Sequence, residues 1–124
     1  MRSYLYNNVK IFMGKNAEEN SSLVSLYQKE KATWFHLYDK PSSHVIIEKD
    51  KNQLTDDEIN FCANLVKYYT KYKKEWQNKY FVDMVPTKNV KLLSKPGLVS
   101  ISNGKKIKIK PHFNFDPKEY LIKN

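Results

Sequence analysis

Two histidines eight residues apart, His36 and His44, carry the first chemistry in this chain. They lie in the runs Thr33–Tyr38 and His44–Glu48, on either side of a turn around Asp39-Lys40-Pro41-Ser42. Both runs alternate as strands do. Phe35, Leu37, Val45 and Ile47 take odd numbers, while Trp34, His36, Tyr38, His44 and Ile46 take even ones. Any register with an even sum keeps the two sets on opposite faces. The odd set is purely apolar and is expected to face a core. If Tyr38 pairs with Ser42, His36 sits directly across from His44.

Facing histidines admit several kinds of chemistry. A zinc site needs three or four ligands. Asp39 could be a third, but the single cysteine, Cys62, and the distant His112 do not complete a set, so no metal is expected. A histidine pair could also act as acid and base on a nucleic acid. No nucleophile motif or suggestively spaced carboxylate pair accompanies it, and 3 glycines make a poor case for a phosphate loop. No catalytic residue is assigned, and no cofactor is expected. Three readings stay open: histidines that hydrogen-bond within the sheet surface or turn, a binding face, and, third, a nucleic-acid-processing enzyme that uses His36 and His44. In the second, Trp34 and Tyr38 add stacking surfaces for single-stranded or looped RNA. Cys62 sits on an apolar helical stripe and reads as a buried thiol.

The charge distribution favours the binding face. The 124 residues hold 22 Lys+Arg against 13 Asp+Glu, a net charge of +9. Residues 1–59 carry a net −1, whereas residues 60–124 carry 14 Lys and 4 acids, a net +10. A polyanionic partner is the physical reading of such a block. Codon bias explains why 21 of the 22 basic residues are Lys, but not why acids are scarce after Asn60. The length supports one domain, and 40% hydrophobic residues with 14% aromatics are enough for a core. One cysteine excludes an internal disulfide framework. No apolar run approaches the ~18 residues of a membrane span, and the first residues lack the apolar stretch of a signal peptide. A small, soluble, cytoplasmic domain with no membrane partner is expected.

The elements that must position these residues follow from local pattern. Tyr4–Tyr6 and Val9–Met13 flank Asn7-Asn8 and read as a hairpin. Asn20 or Ser21 is expected to cap a helix carrying Leu23, Val24, Leu26 and Tyr27. Thr55-Asp56-Asp57-Glu58 is a capping box that opens a helix to about Lys74, with Ile59, Cys62, Val66 and Tyr69 as its apolar stripe. Phe61, Leu65 and Tyr68 widen that stripe, and Lys67, Lys71 and Lys74 form a polar flank. Tyr80–Val85 is a strand ended by Pro86, and Thr87–Lys95 is a polar loop. Val99–Ile101 and Lys105–Lys110 flank Asn103-Gly104 and predict a second tight hairpin. A three-residue loop with Gly104 left-handed pairs Val99 with Ile107. It leaves Lys106, Lys108 and Lys110 as a ladder on the other face.

Four blocks, in order, resemble a known family. They are Ile11-Phe12-Met13-Gly14-Lys15-Asn16 with Asn20; Trp34-Phe35-His36 with Pro41-Ser42-Ser43-His44-Val45; the helix Ala63–Thr70; and Lys88-Asn89-Val90-Lys91 through Lys95-Pro96-Gly97-Leu98-Val99. Together they are similar to the NFACT-R domain of ribosome quality-control proteins. The resemblance implies RNA contacts, to tRNA or rRNA, from His36, Ser43, His44, Lys88, Asn89, Lys91 and Lys95. It implies the large ribosomal subunit as a further partner. The residue pattern independently adds Lys106 and Lys108, on the hairpin beside that loop. Ser42 stands where the family usually has glycine, and Leu92 and Leu93 replace part of a basic run. The chain is similar only to the RNA-binding module of the full-length proteins, so a stand-alone, non-catalytic module is expected. The expected fold is α+β: one domain over residues 1–111 with a tail at 112–124. Antiparallel hairpins would form a mixed or antiparallel sheet packed by one long and one short helix.

Overall fold

In a computed structural model of the chain, residues 1–70, 80–110 and 115–122 are described below. The first hairpin joins β1 (Arg2–Tyr6) to β2 (Val9–Met13). Asn7 and Asn8 turn it with φ of 51° and 62°, the positive pair a two-residue turn requires. Helix α1 spans Ala17–Tyr27. Its cap is Asn16, whose side chain accepts the Glu19 N–H at 2.9 Å, so the helix starts four residues before the expected Asn20. Asn20 is instead inside the helix and buried.

Strands β3 (Thr33–Leu37) and β4 (Val45–Ile47) pair with Phe35 opposite Val45, the expected even-sum register. Helix α2 (Asp56–Tyr68) begins with the Thr55–Glu58 capping box, both arms formed. It stops at Tyr68 rather than near Lys74, with Tyr69 as its cap. Lys67, expected on a polar flank, is 1% exposed, with its ammonium 4.8 Å from the Tyr80 ring centroid. Lys71 and Lys74 lie outside the described residues, as do Pro111 at the end of the expected domain and His112 and Phe113 of the expected tail.

The remaining strands are β5 (Phe81–Pro86), β6 (Val90–Leu92), β7 (Val99–Ile101) and β8 (Lys105–Lys108). A six-stranded antiparallel sheet runs β1-β2-β4-β3-β5-β8, and β6 with β7 forms a separate two-stranded sheet. The fold is thus α+β, with, among the described residues, helices α1 and α2 on a mostly antiparallel sheet. Two sequence expectations fail here. Val90–Leu92, read as loop, is a strand. The Asn103-Gly104 hairpin also does not form, because β7 pairs with β6 and β8 crosses to the open edge of β5. Asn103, not Gly104, takes positive φ (53°). Gly104 has no room for a side chain: a Cβ there would lie 2.8 Å from Val85 Cγ2. Pairing β8 with β5 satisfies the backbone of an otherwise bare strand edge, which outweighs a local turn signal.

Each sheet face has its own core. Helix α2 covers Tyr4, Ile11, Met13, Phe35, Leu37, Val45, Ile47, Val82 and Met84. Helix α1 covers Trp34, Ile46 and Val85, with β6 adding Val90. Leu121 bridges to Tyr4, and the Ile122 N–H donates to the Ser3 carbonyl at 2.8 Å, tying residues 115–122 to β1.

Candidate nucleic-acid interface

The sheet register lays the polar residues of the α1 face in a row across the strands. β3–β5 pairing sets His36 opposite Asp83, and β5–β8 pairing sets Asp83 opposite Lys106. His44 precedes β4 by one residue and extends the row, its ring centroid 5.1 Å from that of His36. The preceding row, Ile46–Trp34–Val85, is apolar and lies under α1. The core therefore ends where the polar row begins.

Three local devices build this end of the face. Gly14 donates its N–H to the His44 carbonyl at 3.1 Å. A Cβ on Gly14 would fall 2.1 Å from Asn20 Oδ1, and that oxygen accepts the His44 N–H at 3.2 Å. The glycine is thus the gap through which α1 reaches the histidine strand. Ser42 Oγ accepts the Leu37 N–H at 3.0 Å and donates to the Ser43 carbonyl at 3.1 Å, closing the turn with a side chain where glycine offers none. Gly97, at φ 81°, donates to Ser21 Oγ at 2.8 Å and fastens the β6–β7 turn to α1.

Between these pieces opens a cleft of about 1000 Å³. His36, Asp83, Ser42, Ser43 and His44 form part of its wall, with Lys15 and Asn16 on one side and Pro96–Val99 on another. The expected stacking platform is largely core instead. Trp34 is 2% exposed and His44 is 2% exposed, while Tyr38 is 45% exposed. The fully apolar partners Ile46 and Val85 draw Trp34 under α1. Its ring backs His36, with centroids 5.4 Å apart and planes 5° from parallel.

His36 Nδ1 lies 2.7 Å from the Leu37 carbonyl. A carbonyl only accepts, so the proton sits on Nδ1 and the neutral ring offers a lone pair at Nε2. Burial pushes the His36 pKa down, against the opposing pull of the Leu37 carbonyl and Asp83. Burial, then His36, pushes His44 down to about 3, a backbone contact with Gly97 opposing. His44 Nδ1 is buried without a hydrogen-bond partner. Burial raises the Asp83 carboxyl, with His36 and Lys106 pulling it back.

The structure gathers His36, Ser43 and His44 in the cleft wall. It places Lys88, Asn89, Lys91 and Lys95 outside it: Lys88 and Asn89 in a 3-10 turn (Thr87–Asn89), Lys91 on β6 opposite Ser100, Lys95 in the turn before Pro96. The three lysines are exposed and Asn89 is half-buried. Lys106 and Lys108 are exposed on β8, and Lys106 Nζ rests 4.0 Å from the Tyr38 centroid and 4.5 Å from that of Phe81. Sequence reasoning missed Lys15, Asn20 and Asp83 as site residues. Asp83 was findable as the charged member of the alternating strand Phe81-Val82-Asp83-Met84-Val85. Among the described residues, no cluster of three or more His, Cys, Asp or Glu is placed to hold a metal ion. No helix among them is long and apolar enough to cross a membrane.

Known proteins resemble this chain in sequence and in fold. A curated relative from Streptococcus suis, described as Rqc2 homolog RqcH, is 32% identical over 103 residues, covering 82% of this chain and 18% of its own length. A Streptococcus pneumoniae protein of the same description is 29% identical over 115 residues, covering 90% of this chain and 20% of its own. The chain thus spans about a fifth of these relatives. A solved structure of the C-terminal part of the fibronectin/fibrinogen-binding protein from Streptococcus suis superimposes with a TM-score of 0.81 at 30% identity. It covers 98% of this chain and 49% of that one. The family model described as the NFACT protein RNA binding domain matches residues 4–105, and this chain belongs to that family.

Proposed function

We propose that this chain is a non-catalytic RNA-binding module that works on tRNA or rRNA in ribosome-associated quality control. The observation that carries the reading is the placement of the polar cleft row beside exposed lysines, in a chain of the NFACT RNA-binding family. Lys88, Lys91 and Lys95 contact phosphates and set the position of the strand without reading sequence. The curated relatives described as Rqc2 homolog RqcH support the quality-control setting. The testing experiment is a binding titration on short single-stranded RNA in rising salt. The slope of log affinity against log salt is expected near about −0.7 per engaged phosphate. Absence of binding at low salt would sink the reading.

One observation favours a second reading, in which the module docks on a protein surface of the ribosome in place of a full-length relative. Leu92, Leu93, Leu98 and Ile101 on the β6–β7 hairpin are 38%, 51%, 51% and 40% exposed. Co-sedimentation with large ribosomal subunits that survives Lys88→Glu/Lys91→Glu supports that docking, and its loss with RNA binding removes it.

A further inference from the structure

RNA binding by lysines leaves one cleft residue without a task. Asp83 is a carboxylate on the face that should meet a polyanion, and a carboxylate repels phosphates. Among the described residues the ion pairs are Met1–Glu19 and Lys49–Glu58, and none donates a hydrogen bond to Asp83. Lys106, its register partner, rests its ammonium on the Tyr38 and Phe81 rings instead.

The neighbour of Asp83 on β3 is also an acceptor. His36 commits Nδ1–H to the Leu37 carbonyl, and its Nε2 has no partner among the described residues. Trp34 stacked behind the ring fixes its plane. His36 and Asp83 are a register pair, so their side chains stand side by side, about 5 Å apart at the Cβ. The cleft wall thus presents two hydrogen-bond acceptors together and has apolar surface from Pro96 and Leu98 nearby.

We propose that Asp83 and His36 Nε2 accept the two N–H groups of one exocyclic amine on an unstacked base. The cleft therefore takes cytosine, adenine or guanine and rejects uracil. This inference rests on the RNA-binding reading and adds base discrimination to it. Cytosine carries an amine at the 4-position, which a carboxylate reads directly. Uracil carries a carbonyl there, and its single ring N3–H can serve only one of the two acceptors, which leaves the carbonyl lone pairs against the other. Lys88, Lys91 and Lys95 stay on phosphates, so discrimination and salt dependence are carried by different residues.

The test uses fluorescence anisotropy with labelled oligo(C) and oligo(U) of equal length, two weakly stacking pyrimidine strands. The wild-type protein is expected to bind oligo(C) about tenfold more tightly, the worth of one charge-assisted hydrogen bond. Asp83→Asn supplies an amide donor to the uracil carbonyl and should narrow the gap to about twofold or less, leaving the salt slope unchanged. Should that variant fail to fold, N4,N4-dimethylcytidine in the strand removes the same contact from the ligand side and should erase the preference. Equal binding of oligo(C) and oligo(U) by the wild type overturns the inference and leaves RNA binding standing. So does a preference that survives both Asp83→Asn and dimethylation. No binding to either strand at low salt overturns the RNA reading itself.

Discussion

The two faces of the central sheet are built from the same strands yet end differently. On the α2 face, apolar side chains run from Tyr4 through Phe35 to Ile109 and are sealed, the edge residue Ile107 and the Phe115–Leu121 segment closing the border. On the α1 face, the apolar patch stops after Trp34 and Val85, and the next row reads His44, His36, Asp83, Lys106. The difference lies in how far each face is covered. Helix α1 is 11 residues and sits over one end of its face, and the rest of that face is left to polar groups around a cleft. Apolar burial is concentrated where cover is complete, and polar side chains gather where it ends.

The largest way to break this comparison is on the sealed face. Phe35→Ala empties a fully buried site beneath α2 and should cost about 3–5 kcal/mol in urea unfolding. A cost below about 1 kcal/mol would mean that the α2 face is not the main source of stability. On the open side, Lys88→Glu/Lys91→Glu/Lys95→Glu should weaken RNA binding about a hundredfold and flatten the salt slope by about 2, with stability unchanged within about 0.5 kcal/mol. Parallel binding and melting curves separate the two effects.

A pH series sharpens the comparison. His44 titrates near 3 in the folded protein, against 6.5 ordinarily, because it is buried. The unfolded chain binds a proton that the folded one refuses. This contribution to stability is thus complete above about pH 6.5 and is lost as pH falls toward about 3. His36, depressed in the same direction, adds to it. Stability should fall by up to about 1.4 kcal/mol per pH unit per histidine in that window. Between about pH 6.5 and 5 the slope belongs mainly to histidines, since ordinary carboxylates stay ionised. Urea midpoints for wild type and His44→Gln across that range should diverge in slope; parallel lines would show that burial of His44 is not what holds its ring neutral. The smallest effect is expected for Ser42→Gly, which removes the hydrogen bond to Leu37 N–H and should cost about 1 kcal/mol in thermal unfolding.

Much of the fold was legible because its signals are local. Asn7-Asn8 fixed a turn, Thr55 and Glu58 fixed a helix start, and the odd–even alternation of Thr33–Ile47 fixed an even-sum register, within which the structure selects the one that sets His36 against His44. The failures have a common cause. Asn103-Gly104 looked like a hairpin, but the unpaired edge of β5 claimed β8. Trp34 looked like a surface, but α1 lies over it, and His44 is buried at the edge of that cover, where the Asn20 side chain accepts its N–H. Lys67 looked like a flank residue and is buried beside Tyr80. Each depends on an element distant in the chain.

By itself, the sequence determined which residues could alternate, cap and turn, that charge is concentrated after Asn60, and the family blocks that point to RNA. Those properties reside in nearest neighbours and composition. The tertiary structure alone decided that Asp83 joins the histidines and Lys106 in one row, and that Gly14 is a gap for Asn20. It also decided that the lysine-bearing strand β6 pairs with β7 beside the cleft. Such facts follow from which strand edges pair and where a helix ends, and no local pattern carries that information.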